Sequence, residues 1–253
     1  MNDGYYIGSQ VMSLTAANQR QLIEENPAFG LRYQRVQQLL LPQSQVALIS
    51  RSNTRRSETE DYIKERFHQT YAANVTEFLP CLVTLSCQQQ ISAVVGTRTA
   101  DRDSLFLEQY LDSPIESTLS TATQQVIARE KICEIGNLVA KRRGASQLLF
   151  LLLADALEQH GAVWMTFCAT PQVKKIIDRF HCEMIDLGRA NSSRLISDPA
   201  QWGSYYDSRP HIHAVHLPSA LASARKQLIY NGILYLYRNQ VADLAAQLNG
   251  YHQ

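Results

Sequence analysis

The 253-residue chain has almost no excess charge of either sign: 24 Lys and Arg stand against 23 Asp and Glu, a formal net charge of +1. That balance removes the global electrostatic reason to expect nucleic acid or an anionic membrane as partner, so basic residues count only where they cluster, at Arg51–Arg56 and Lys141–Arg143. No Cys-x-x-Cys pair is present. The five cysteines (Cys81, Cys87, Cys133, Cys168, Cys182) are odd in number and mostly set in apolar runs, the pattern of reduced core thiols, not of a zinc site or a disulfide framework. Long apolar runs are absent too. The longest, Leu148–Ala154, falls far short of the ~20 residues a membrane-spanning helix needs. The N-terminal Met-Asn-Asp-Gly-Tyr-Tyr lacks the basic start, apolar stretch and cleavage site of a secretory leader, so the expected compartment is the cytoplasm. There is no internal repeat, no low-complexity tract and no Gly-x-Ser-x-Gly elbow, which argues against a hydrolase that would lyse cells as a lipase. His211, His213 and His216 fall in one strand-like run, the first two on one face and the third on the other, so no metal site is expected.

What is present is an ordinary globular composition, 45% hydrophobic and 19% charged, enough for one sizeable core. Residues 1–43 read as an N-terminal extension with a helix near Tyr33–Leu41, and Gln45–Ser50 as a buried strand. Ser57 and Glu60 fit a capping box before the helical spacing of Tyr62, Ile63, Phe67 and Tyr71. Phe78–Ser86 and Ile91–Arg98 read as a hairpin, and Asp103 as the cap of a short helix, Ser104–Leu111, halted by Pro114. From Lys131 the order is strand (131–139), basic loop, apolar helix (145–160), strand Val163–Cys168, helix from Pro171 to Phe180, and strand Glu183–Leu187. This predicts a βαβ core with right-handed crossovers over a partly parallel sheet. His211–Leu217 reads as one more strand, and 218–253 as a C-terminal helical segment broken near Asn231-Gly232.

The basic loop invites a phosphate. Where a strand gives way to a helix, the first helical N–H groups lack internal partners and point along a dipole that favours anions. Gly144, Ala145 and Ser146 would allow close approach, and Lys141, Arg142 and Arg143 add charge. A solvated turn into a core helix explains the same residues. Lys141-Arg-Arg-Gly-Ala-Ser146 resembles a degenerate form of the Gln/Arg-x-x-Gly-x-Gly/Ala loop with which GNAT-type N-acyltransferases hold the pyrophosphate of acyl-coenzyme A.

Four further segments, in order, carry a more specific resemblance: Phe106-Leu-Glu-Gln-Tyr-Leu-Asp112, Glu134-Ile-Gly-Asn-Leu138, Trp164-Met-Thr-Phe-Cys-Ala-Thr170, and Trp202-Gly-Ser-Tyr-Tyr-Asp207 with Pro210. They resemble the hallmark segments of the thermostable hemolysin family, over roughly residues 45–225. That family is similar to GNAT folds and, more distantly, to acyl-homoserine lactone synthases. The resemblance implies an α/β (α+β) GNAT-like acyl-CoA N-acyltransferase fold, with a central mixed sheet flanked by helices over residues 44–217. It also implies an acyl-thioester site between two splayed strands, near Glu134–Leu138 and Trp164–Thr170. The co-substrate would be an acyl-CoA or an acyl-carrier-protein (acyl-ACP) phosphopantetheine thioester, with no tightly bound cofactor and a small amine as acceptor. The binding loop would comprise Leu138 and Lys141–Ser146, and Arg142 and Arg143 could instead dock the acidic carrier.

Acyl transfer to an amine needs a proton acceptor, a stabilised oxyanion and a proton for the departing thiol. Glu134 could draw the amine proton; a carboxylate paired with Arg98 or Arg129 is the alternative. Gly136-Asn137 interrupts an apolar run and suggests a bulge offering a backbone N–H to the thioester carbonyl, or simple close packing. The tyrosine that the fold often places on the helix after the fifth strand is missing from Pro171–Phe180, leaving Tyr205 and Tyr206 as substitutes for the general acid or as packing. Glu108 could grip a cationic acceptor or be a surface carboxylate. Arg98 could bind an acceptor carboxylate or form a rim ion pair. Two other functions stay open: a membrane-active hemolysin using the apolar residues of Pro218–Leu248, and a non-catalytic acyl-ligand binder. A second copy of the chain is another partner those C-terminal apolar residues would fit.

Overall fold

Seven strands pair into one sheet in the computed structural model, which describes residues 44–141 and 144–251. The helix expected at Tyr33–Leu41, and Arg142 and Arg143 of the basic loop, lie outside those residues. The strands are β1 (Ser44–Ile49), β2 (Cys81–Cys87), β3 (Gln90–Thr99), β4 (Ile132–Ala140), β5 (Trp164–Ala169), β6 (Ile185–Arg189) and β7 (His211–His216), in spatial order β1-β2-β3-β4-β5-β7-β6. Every neighbouring pair is antiparallel except β4 and β5. The helices are α1 (Arg56–Tyr71), α2 (Ile115–Thr123), α3 (Ala145–Gln159), α4 (Pro171–Ile177), α5 (Leu217–Arg225) and α6 (Leu228–Tyr251).

The two-residue period of the strands sorts the core into layers. Val83, Leu85, Ala93, Val95, Cys133, Ile135, Met165, Phe167 and Val215 face α3, α5 and α6. Their neighbours face the other way, and there the cover is split. Leu82 and Val94 lie under α1, while Ile132, Trp164, Ile212 and Ala214 lie under α2 and a 3₁₀ turn, Phe106–Tyr110. Between these two covers the described residues leave the sheet open.

Helix α3 is apolar on nearly all sides because it is enclosed on nearly all sides: of Ala145–Leu157 only Ser146 is not buried. Helix α6 contributes Tyr230, Ile233, Leu234, Tyr237, Val241, Leu244, Ala245 and Leu248, a helical stripe buried against this layer. Each buried Leu or Ile there is worth about 1.5–3 kcal/mol, so the C-terminal apolar residues are largely consumed within the fold. Among the described residues no helix is long and apolar enough to cross a membrane.

Several expectations are corrected. The strand β4, helix α3 and strand β5 form the expected parallel crossover, but β6 does not join β5, because β7 inserts between them. Ile212–Val215 of β7 are buried and suit a central strand, whereas β6 is half exposed and suits an edge. Ser57 caps nothing: α1 begins at Arg56, and Glu60 is held by Arg56 at 2.6 Å. Arg56 is drawn inward, its guanidinium donating to the carbonyls of Leu79 and Pro80, which fixes where the helix starts. Asp103 is likewise not a cap, since the short helix is the 3₁₀ turn that begins after Leu105. The C-terminal break falls at Lys226-Gln227, and Asn231-Gly232 lie inside α6. One glycine costs a helix about 1 kcal/mol, less than the flanking Tyr230 and Ile233 gain by burial.

Candidate active site

The parallel ladder between β4 and β5 runs only from Ile132↔Trp164 to Ile135↔Phe167. Beyond it β4 stays with β3 and leaves β5, so the sheet opens into a V. At the point of departure the β3–β4 register slips: Gly96 faces Gly136, but Val94 faces Val139, which leaves one extra residue on β4. Asn137 takes it up at φ +50°. The bulge expected at Gly136-Asn137 is therefore there, and it reverses the phase of the strand, so that Leu138 packs toward α3 and Val139 toward α1.

The segment Glu77–Leu79 crosses directly over this bulge. The Asn137 side chain clamps it, Oδ1 accepting from the Leu79 N–H at 3.0 Å and Nδ2 donating to the Glu77 carbonyl at 3.2 Å. A Cβ on Gly96 would stand 2.8 Å from the Leu79 Cβ, and one on Gly136 would stand 3.2 Å from Leu79 Cδ1. These paired glycines are what let the strap lie on the sheet. Phe78–Pro80 is thus strap and not strand, and β2 begins only at Cys81; Pro80, which has no N–H for a ladder, was the sequence signal for it.

A cleft of ≈ 500 Å³ fills the V. One wall is β4 from Glu134 to Ala140, and the facing wall is Phe167, Cys168, Thr170, Val173 and Ile176. Thr170 caps α4, its hydroxyl accepting from the Val173 N–H at 3.4 Å. Over one end sits an aromatic cluster, Phe67 and Tyr71 of α1 with Phe106, Tyr110, Trp202, Tyr205 and Tyr206. Gly203 makes that assembly possible. Its φ is +50°, and a Cβ there would fall 2.1 Å from the Tyr71 carbonyl, to which Ser204 donates its N–H at 2.9 Å.

Glu134 lies at the floor, 4% exposed. Its two carboxylate oxygens accept the N–H groups of Phe106 and Leu107, each at 2.9 Å. Directly across the ladder, Arg98 brings Nε within 3.3 Å of it, yet that Nε aligns with no acceptor, and Nη1 donates instead to the Ser104 carbonyl at 3.0 Å. Burial outweighs the help of Arg98 and the two amides and lifts the carboxyl from 4.5 to about 7. A group so placed can take and return a proton near neutral pH.

The tyrosines differ. The Tyr205 hydroxyl donates to Cys168 Sγ at 3.7 Å, and the Tyr206 and Tyr110 hydroxyls meet at 2.5 Å. Burial raises all three phenols above 10, and the Cys168 thiol to about 12. At the other end of the cleft, Lys141 is exposed at the end of β4, Gly144 begins α3 at φ +82°, Ala145 is buried, and Ser146 lines the opening.

The structure therefore gathers Glu134, Arg98, Gly136, Asn137, Leu138, Ser146, Thr170, Tyr205 and Tyr206 around one cleft. It does not bring Glu108 or Trp164 there. Glu108 is gripped by Arg129 at 2.6 and 2.9 Å and accepts the N–H groups of Leu105 and Ile115, so it ties a loop together and has no oxygen to spare for an acceptor amine. Trp164 is buried below the V against the His216 ring. Arg66, Thr70 and the Glu77–Leu79 strap line the same cleft, and no local sequence pattern places them there. Among the described residues no group of three His, Cys, Asp or Glu side chains gathers to hold a metal.

The sequence profile of a family described as "Thermostable hemolysin" matches residues 49–221. No curated protein sequence matches the chain. Among solved structures, the acyl-homoserine lactone synthase LasI superposes with a TM-score of 0.50 at 10% identity, over 71% of this chain and 93% of that one. The CoA-dependent acyl-homoserine lactone synthase BjaI gives 0.49 at 9% identity, over 72% and 89%. FeeM, an N-acyl amino acid synthase from uncultured soil microbes, gives 0.47 at 14% identity, over 72% and 95%. At these identities the likeness to LasI shows the fold, a mixed sheet flanked by helices of the GNAT-like kind.

Proposed function

The chain belongs to the thermostable hemolysin family, and on that premise we propose that it transfers an acyl group from a phosphopantetheine thioester, of coenzyme A or of a carrier protein, to a small amine. The observation that carries this reading is Glu134, a buried carboxyl held near neutrality at the floor of a cleft opened by two diverging strands.

In this mechanism the amine nitrogen attacks the thioester carbonyl; a C–N bond forms and the C–S bond breaks. Glu134 takes the proton released by nitrogen, directly or through one water, and passes it to the departing thiolate. A carboxyl titrating near 7 can protonate a thiolate whose own pKa is about 8.5. Tyr205 and Tyr206, raised above 10, are weaker acids than that thiol, so their part is to shape the cleft and not to supply the proton. The bulge at Gly136-Asn137 offers backbone N–H to the carbonyl oxygen. Arg98 moderates Glu134, and binding an acceptor carboxylate would cost part of that pairing.

The test is incubation with acyl-CoA and acyl-carrier-protein substrates of several chain lengths against a panel of amino acids and polyamines. Free thiol is followed by absorbance and N-acyl product by mass spectrometry. The reading expects product that requires Glu134. Binding of thioesters with no turnover under any pairing would make the protein an acyl-ligand binder, and no binding at all would remove the thioester from the account.

A further inference from the structure

Resting on the donor reading above, we infer that Arg66 of α1 binds a phosphate of the donor, from the side of the cleft opposite the start of α3. Helical spacing places Arg66, Phe67, Thr70 and Tyr71 on one face of α1, and all four line the cleft. Phe67 and Tyr71 belong to the aromatic end. Arg66 lies one turn before Thr70, at the mouth.

Its anchoring locates it. Nη2 donates to the Ala140 carbonyl at 3.3 Å, at the last residue of β4 and one residue before Lys141. Ser146 of the first turn of α3 lines the same opening. The guanidinium is therefore beside the end of β4, at an opening also lined by the first turn of α3, where helical N–H groups lack internal partners.

Its partners are the second argument. Among the described residues the other arginine lining this cleft, Arg98, stands against Glu134, and Arg56, Arg129, Arg194 and Arg225 are each ion-paired. Among the described residues no carboxylate pairs with Arg66: Nη1 donates to the neutral Gln69 amide at 2.6 Å, and Nε is buried without a hydrogen-bond partner. A half-buried guanidinium held by two neutral acceptors, with three of its five N–H groups unspent, presents positive charge to whatever enters the mouth. A phosphate suits it in charge and in fork geometry, and both coenzyme A and a carrier-linked phosphopantetheine carry one.

The experiment compares binding of coenzyme A, 4′-phosphopantetheine and pantetheine to the wild-type chain, Arg66→Gln and Arg66→Lys by calorimetry, with melting temperature as a fold control. Arg66→Gln should weaken coenzyme A at least tenfold and leave pantetheine unchanged, with Arg66→Lys in between. If 4′-phosphopantetheine weakens in step, the contact is to the pantetheine phosphate; if it does not, the contact is to the nucleotide-side phosphates. Equal binding of coenzyme A by wild type and Arg66→Gln overturns the inference alone, as does an equal loss for pantetheine, which marks a structural role through Ala140. A wild-type chain that binds none of the three removes the donor reading together with it.

Discussion

Two carboxylates hold the same 3₁₀ turn and end in opposite states. Glu134 enters from β4, accepts the N–H groups of Phe106 and Leu107, and is pushed up to about 7. Glu108 belongs to the turn, accepts the N–H groups of Leu105 and Ile115, and is pulled down to about 2. The backbone donors are matched, so they do not explain the difference. Burial opposes the charged form at both sites. It is more complete at Glu134, whose side chain is 5% exposed, than at Glu108, at 13%. The arginines decide the rest: Arg129 holds Glu108 with two aligned bonds, while Arg98 stands near Glu134 without one. A carboxylate satisfied in this way is a structural tie, and one left short is available to protons.

The largest effect expected from this contrast is on turnover. Glu134→Gln should lower kcat/KM for thioester aminolysis by roughly 10²–10⁴-fold, the usual worth of a positioned general base, while Glu108→Gln should leave kcat within a few-fold. Equal losses in the two variants would mean that both carboxylates serve only the turn.

The pair should also respond to pH in opposite senses. Glu134 is raised in the fold, so the stability tied to it is full below about 4.5 and lost as pH rises through about 7. At ~1.4 kcal/mol per unit the change is roughly 3 kcal/mol as an upper figure. Glu108 is lowered, so its contribution is full above about 4.5 and lost as pH falls through about 2. Urea midpoints across this range should show wild type losing ground to Glu134→Gln between pH 4.5 and 7, and Glu108→Gln deprived of stability at neutral pH. Parallel curves would contradict the assignment.

A smaller effect is expected at the clamp. Arg129→Ala removes the partner of Glu108 and Glu116 at a half-buried site and should cost about 2 kcal/mol. Chemical denaturation measures it; the pH profile of turnover should not move.

Part of this contrast was legible in the sequence. The period-2 strands, the enclosed apolar helix and the bulge at a Gly-Asn inside an apolar run all follow from local pattern. The pairing of Arg98 with Glu134 needed the β3–β4 register, and Arg129, an equal candidate for Glu134 by sequence, goes to Glu108 instead, 21 residues away. Ser57 looked like a cap because the pull of the Leu79 and Pro80 carbonyls on Arg56 is non-local. Pro80 marks where the ladder stops, but that Glu77-Phe-Leu79 lies across Gly96 and Gly136 is non-local in the same way.

The smallest expected effect is the most discriminating. Arg98→Gln removes the cation that stands beside Glu134 among the described residues but leaves both backbone donors in place. An opposite charge at this range lowers a carboxyl, so its loss should carry Glu134 above 7 by about one unit. If Glu134 is the base, the ascending limb of the pH–kcat profile moves to higher pH by that amount while the plateau stays within a few-fold. If Arg98 instead holds an acceptor carboxylate, the limb stays and KM for the acceptor rises. The same substitution thus separates an arginine that tunes the base from one that grips the substrate.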